Sequence, residues 1–191
     1  MKFVDIIVYL IIILIISYFA YRYLLLYIKS TTVCSDIDNM CYTVKSGKNQ
    51  QKAADTLAIL NVKLQKLFSV LDDSYPGVKI MKQRYKPSNL SENIINMDST
   101  SFTVDKGKST EMCLTNRGPD DEIEDINTLT FVALHECSHW ITLDELGHGP
   151  KFQRNFRYIL KKAIENDIWK YVDYSKNPVN YCQMTINSTP I

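Results

Sequence analysis

The chain has 191 residues, 46% of them hydrophobic and 23% charged, with a formal net charge of +1. That length suits one compact domain plus a small appendage and leaves no room for two full domains. The near-neutral balance excludes a partner recruited by global charge, so any preference for a polyanion or polycation has to be local.

The first element is the apolar stretch FVDIIVYLIIILIISYFAYRYLLLYI, Phe3 to Ile28, whose only charges are Asp5 and Arg22. At about 1.5 Å per helical residue, Ile6 to Ile28 crosses the roughly 30 Å hydrocarbon layer of a bilayer. Arg22 can extend its stem toward the headgroups, and Tyr18, Tyr21, Tyr23 and Tyr27 suit an interface. Residues 1–29 are therefore expected to be a transmembrane anchor that meets lipid through residues 4–28. A cleaved signal peptide is the main competitor, but Tyr18 and Ala20 make a poor small-x-small cleavage site. A buried core helix fits worse, because almost no face is polar.

Arg22, Lys29, Lys45 and Lys48 follow the segment while only Lys2 and the amino terminus precede it, so the positive-inside rule favours a single-pass protein with a cytoplasmic C-terminal domain. Five cysteines, Cys34, Cys41, Cys113, Cys137 and Cys182, are an odd number without CxxC spacing, which excludes a zinc ribbon. A Cys34–Cys41 disulfide stays open if the domain faces an oxidising space. The sequons Asn89-Leu90-Ser91 and Asn187-Ser188-Thr189 point to that same opposite topology.

Residues 30–50 are polar, with turn residues at Ser46-Gly47, and read as an irregular tether of about twenty residues. The domain is expected over 51–191. It opens with helical spacing of Leu57, Leu60, Leu64, Leu67, Phe68 and Leu71, ended by Tyr75-Pro76-Gly77. The stripe lasts too few heptads for a coiled coil and reads as a core-facing helix. Val78 to Met97 reads as a loop with one strand around KIMKQRY. Two β-favouring runs, Phe102 to Val104 and Glu111 to Leu114, flank Asp105-Lys106-Gly107-Lys108 as a hairpin. The acidic run PDDEIED, residues 119–125, could hold a cation, but carboxylates at a helix start more simply cap its free amides.

A helix over Ile126 to Leu143 then follows, apolar on most sides and hence buried. It holds HECSH. His135 and His139 are four apart, so their rings share one face and can converge on one ion. Glu136 lies about 100° round the helix, outside the ligand set yet close enough to take a proton from metal-bound water. Shuffling this composition would create HExxH about once in a thousand trials, so chance is a poor account of it. Catalytic zinc usually has three protein ligands and one open position. Glu145 stands at the last-ligand position of a metzincin, but Thr142 replaces the glycine which that motif needs. Glu165 falls on an exposed face. His148 is the better third ligand: Gly147 breaks the helix, His148 is held between two glycines, and Pro150 opens the next helix. Cys137 points about 200° from His135 and reads as a small core hydrophobe.

HExxH followed after eight residues by HGPKF resembles the SprT-like and WLM group of zincin metallopeptidases. The resemblance covers roughly Asn127 to Phe156. It implies an α+β fold, a minimal zincin-like domain with a small sheet, an edge hairpin, an active-site helix and supporting helices. It makes His135, His139 and His148 zinc ligands, Glu136 the general base, and Phe102 to Leu114 the edge that pairs with extended substrate. Family members that digest protein crosslinked to DNA are soluble and often carry further zinc- or DNA-binding parts, whereas this chain has an anchor and no second metal motif. Small anchored zincins of this look also occur in large DNA viruses.

The helix KFQRNFRYILKKAIEND carries Lys151, Arg154, Arg157, Lys161 and Lys162 opposite its apolar face, a solvated surface before it is a site for nucleic acid or anionic lipid. In the tail, YCQMTI is strand-like and expected to return to the sheet, and Tyr171, Tyr174 and Tyr181 are candidates to stabilise an oxyanion. The expected function is zinc-dependent hydrolysis of peptide bonds in protein near the membrane. The alternative is a non-catalytic structural membrane protein whose zinc only stabilises the fold.

Overall fold

The computed structural model describes residues 3–94, 100–116 and 120–191. The end of the mixed stretch at 95–97 and the first residue of the acidic run, Pro119, lie outside them. The fold is mixed α+β with small sheets behind one N-terminal apolar helix.

Helix α1, Phe3–Lys29, is 27 residues or about 40 Å long. Most of its described apolar side chains are exposed, from 41% at Ile6 to 73% at Tyr27. Water does not tolerate an uncovered apolar surface of this size on a folded chain. The helix is long and apolar enough to cross a membrane.

No irregular tether follows. Strands β1, Ser30–Cys34, and β2, Cys41–Lys45, form an antiparallel hairpin directly after the helix. The polar composition of 30–50 concealed this, because alternate residues of β2 face inward: Tyr42 and Val44 are 1% and 0% exposed, with Thr43 and Lys45 outward. Ser46 N–H donates to the Lys29 carbonyl at 2.8 Å, tying the end of α1 to the hairpin. Cys34 and Cys41 face each other across it and are disulfide-bonded.

Helix α2, Gln50–Val70, buries Leu57, Leu60, Leu64 and Leu67 as their spacing predicts. The KIMKQRY stretch is a helix, not a strand: α3, Val78–Arg84, is built on Val78 and Met81, three apart and both buried. So short a helix is marginal alone and is held by this packing. Gly77, at φ +84°, admits the close pass, since a Cβ there would lie 2.4 Å from the Ile141 carbonyl oxygen.

The main sheet has three strands in the order β3-β5-β4, with β3, Leu90–Glu92, parallel to β5, Ser109–Met112, and β4, Phe102–Val104, antiparallel to it. The expected hairpin is therefore present, with its second strand starting two residues earlier. β4 is left as an edge. Helix α4, Ile126–Ile141, crosses the core, and Asp125 caps it by accepting from Thr128 N–H at 2.8 Å, which is the role expected of the acidic run. Helix α5, Pro150–Glu165, packs against α4 through Phe131, Phe152 and Phe156.

YCQMTI does not rejoin the main sheet. It turns at Cys182-Gln183, both at positive φ, into a hairpin of its own with β6, Val179–Tyr181, and β7, Met184–Ile186. A second disulfide, Cys113–Cys182, fastens that hairpin to the end of β5.

Candidate metal centre

The site is built where α4 ends and the chain reverses into α5. His135 and His139 project from one face of α4, as their spacing requires. The return of His148 depends on local chemistry around it. Gly147 takes φ +72°, a conformation open to glycine at little cost. A Cβ on Gly149 would lie 1.9 Å from Glu145 Oε1, so only glycine lets that carboxylate reach the start of α5, where Oε2 accepts from Lys151 N–H at 3.0 Å. Glu145 is thus a helix cap. Glu165 pairs with Lys162 at the surface, and neither glutamate belongs to the histidine cluster.

His135 Nε2 and His139 Nε2 lie 3.0 and 3.2 Å from His148 Nε2, and the potential ligand atoms of the three all fall within 4.8 Å of one another. Four-coordinate zinc with Zn–N bonds of 2.0–2.1 Å sets its nitrogens about 3.3 Å apart. The spacing therefore fits a single ion of that size. Burial, reinforced by the neighbouring imidazoles, pulls the proton affinity of His135 down to about 3 and, with Lys106 also contributing, that of His139 to about 4. Neutral rings with lone pairs aimed at one point are the state a metal needs.

Phe152 forms the floor, its ring centroid 4.4 to 4.8 Å from all three imidazoles, and Phe156 backs His135 at 5.2 Å. A chain of hydrogen bonds braces the layer: Tyr75 hydroxyl to Asn155, Asn155 to Thr142 hydroxyl, and Thr142 hydroxyl to the Ser138 carbonyl. Gln153 donates to the His148 carbonyl at 3.3 Å. The motif's aromatic position signals Phe152, but nothing in the sequence signals Asn155 or Gln153.

Glu136 is 4% exposed and lines the cleft beside His135 and His139. It accepts no hydrogen bond among the described residues, and burial alone pushes its carboxyl up to about 8. Cys137 is fully buried and unpaired, with its thiol raised by burial, as expected of a core residue.

The cleft encloses about 1000 Å³. Its lining includes β4 with Asp105 and Lys106 of its turn, and the β6–β7 hairpin with residues 187–190. Lys106 locks the β4 turn to the site by donating to the Thr142 and Glu145 carbonyls, and Trp140 Nε1 donates to Thr103 Oγ1 at 2.8 Å. Of the three tyrosines singled out, Tyr181 lines the cleft, with its hydroxyl bonded to Ser101 and the Cys113 carbonyl. Tyr174 is buried against Phe131, and Tyr171 meets Trp169 edge-on and does not line the cleft. On α5 the basic residues are largely engaged: Lys151 with Asp144, Lys162 with Glu165, and Arg157 with the Pro190 carbonyl.

No family model matches the chain, and no solved structure matches it. Two curated relatives do. One, from Invertebrate iridescent virus 6, is an uncharacterized protein 37% identical over 83 residues, which is 43% of this chain and 44% of the relative. The other is an uncharacterized protein of Acanthamoeba polyphaga mimivirus, 34% identical over 170 residues, 83% of each chain. Over that length and at that identity, the chain belongs to the family of this mimivirus protein, a family of large DNA viruses.

Proposed function

We propose that the protein is a membrane-anchored zinc metalloendopeptidase with a zincin-like fold, in which His135, His139 and His148 hold the ion and Glu136 is the general base. The observation that carries the reading is the convergence of three imidazole nitrogens on one point beside a buried, hydrogen-bond-free carboxylate that opens into a cleft. A structural zinc site has no use for such a base and is ordinarily closed by four protein ligands, whereas the cluster among the described residues has three donors.

Zinc, when bound, supplies Lewis acidity that polarises the scissile carbonyl and acidifies water. Glu136 takes the proton of the attacking water and passes it to the leaving amine, and its burial keeps its proton affinity high enough for both transfers. Phe152 covers one side of the imidazoles. β4, paired on one side only among the described residues, offers an extended substrate a strand edge.

The division proposed is an anchor over 1–29 with the peptidase domain beginning at Ser30 and no free tether between them. Substrate is then protein held close to the bilayer. The positive-inside bias rests on a few lysines and an arginine, whereas four of five cysteines are paired in the fold; the disulfides are the stronger guide and support a domain in an oxidising surrounding.

The test is to load the full chain with zinc in detergent, incubate it with a protein lysate, and map new peptide termini. Glu136→Gln should retain one zinc per chain and lose about 10²–10⁴-fold in cleavage rate. Cleavage that survives this substitution, or a wild type that binds zinc and cuts nothing, would overturn the reading.

A further inference from the structure

We infer that Arg157 reads a carboxylate on the substrate, so that the site selects an acidic group within about three residues of the bond it cuts. This rests on the peptidase reading above. Four charged side chains line the cleft: Asp105, Lys106, Glu136 and Arg157. Asp105 pairs with Lys108. Lys106 is spent on two backbone carbonyls at the end of α4. Glu136 stands at the histidines. Arg157 keeps donors to spare: its Nε donates to the Pro190 carbonyl at 2.6 Å, and its terminal nitrogens bond to nothing among the described residues.

The carbonyl orients the guanidinium without neutralising it. One edge of the planar fork is fixed and the remaining N–H groups are left for a ligand, the geometry in which arginine grips a carboxylate bidentately. Neither Asp105 nor Glu136 pairs with Arg157, whose contact is with the tail at Pro190, and residues 186–190 share the cleft lining with it. Arg157 is exposed at the mouth of the cleft, whose lining includes the apolar Phe131, Val132 and Phe156.

Arg157 is seven residues along α5 from Pro150, which follows His148 by two, so it stands about 10 Å from the metal end of the helix. An extended peptide advances about 3.3 Å per residue. The carboxylate read by Arg157 therefore belongs to a residue no more than about three positions from the scissile bond. It comes either from an aspartate or glutamate side chain or from a free chain terminus, and the two sources separate experimentally.

The experiment uses the zinc-loaded full chain in detergent and matched peptides that carry Glu, Gln or Lys at each of the three positions on either side of the bond, each with a free and an amidated C-terminus. The wild type should cleave the Glu peptide about tenfold or more faster than its Gln partner in kcat/KM at one position, as expected where a charged pair forms in a site. The preference should shrink with added salt. Arg157→Ala should bring the Glu-to-Gln ratio near one, Arg157→Lys should keep part of it, and Arg157→Glu should transfer the preference to the Lys peptide. A preference that instead follows the free C-terminus identifies the terminal carboxylate as the ligand. Equal cleavage of Glu and Gln peptides in both terminal forms, or an undiminished ratio in Arg157→Ala, overturns the inference and leaves the peptidase standing. Cleavage of no peptide by the zinc-bound wild type overturns both.

Discussion

Glu136 and the histidines beside it titrate in opposite senses, and the fold without its ion should show this. The carboxyl is raised from 4.5 to about 8, so between those pH values the folded chain holds a proton that the unfolded chain has released. Stability from this group is fully present below pH 4.5 and is lost as pH rises through 8. His135 and His139, lowered from 6.5 to about 3 and about 4, act the other way: their share is present above pH 6.5 and lost as pH falls through 4 and then 3. Chemical denaturation of zinc-free wild type and Glu136→Gln at pH 5 and 8 should show the wild type losing ground to the variant by a few kcal/mol on going to pH 8. With zinc bound, the nearby cation holds Glu136 ionised and the difference should collapse. A pH-independent difference in the metal-free pair would mean that Glu136 is not buried beside the histidines. The spacing of HECSH made this trio legible, because a helix turns four residues into one face. The return of His148 was legible from its flanking glycines. The orientation of Arg157 was not, since it depends on a tail thirty-three residues later in the chain supplying one carbonyl.

At the scale of elements, the cleft keeps its shape because the β4–β5 turn is seated on α4. Gly107, at φ +95°, lies under Trp140; a Cβ there would come within 2.9 Å of the indole. Gly107→Ala should therefore push the ring off the turn, break its bond to Thr103, and strain the backbone at a left-handed position, costing about 2–4 kcal/mol by denaturant unfolding. Near-wild-type stability would show that the indole does not fix the edge strand. The turn itself was readable from Asp105-Lys106-Gly107-Lys108, because turn chemistry is local. KIMKQRY was not: its alternation resembles a strand, and only the underside of α4, reached through Gly77, makes Val78 and Met81 a helical pair. The C-terminal hairpin escaped for a related reason, since Cys182-Gln183 adopt positive φ without the Asn-Gly signal that usually announces such a turn.

For the molecule as a whole, the same disulfide that argues for an oxidising surrounding also completes the cleft. Cys113–Cys182 closes a loop of 69 residues, whereas Cys34–Cys41 closes one of 7. If each acts by restricting the unfolded chain, the long loop contributes about 4 kcal/mol and the short one about 2. Their positions differ more than their sizes. The short one staples the hairpin that receives α1, a stretch already anchored by buried Tyr42 and Val44. The long one holds β6–β7, whose β7 strand and following residues line the cleft and supply the Pro190 carbonyl that orients Arg157. Cys113→Ser with Cys182→Ser should therefore lower stability more than the Cys34 and Cys41 pair does, and should release residues 179–191 to limited proteolysis and hydrogen exchange while α2 and α4 stay protected. Zinc affinity should change little, because the three histidines sit on α4 and the turn into α5. Peptide cleavage should weaken with this lining. Equal exchange of residues 179–191 in the oxidised protein and the double variant would show that the hairpin stands without its covalent tie, and the cleft would then owe this part of its lining to packing of Tyr181 and Tyr174 alone.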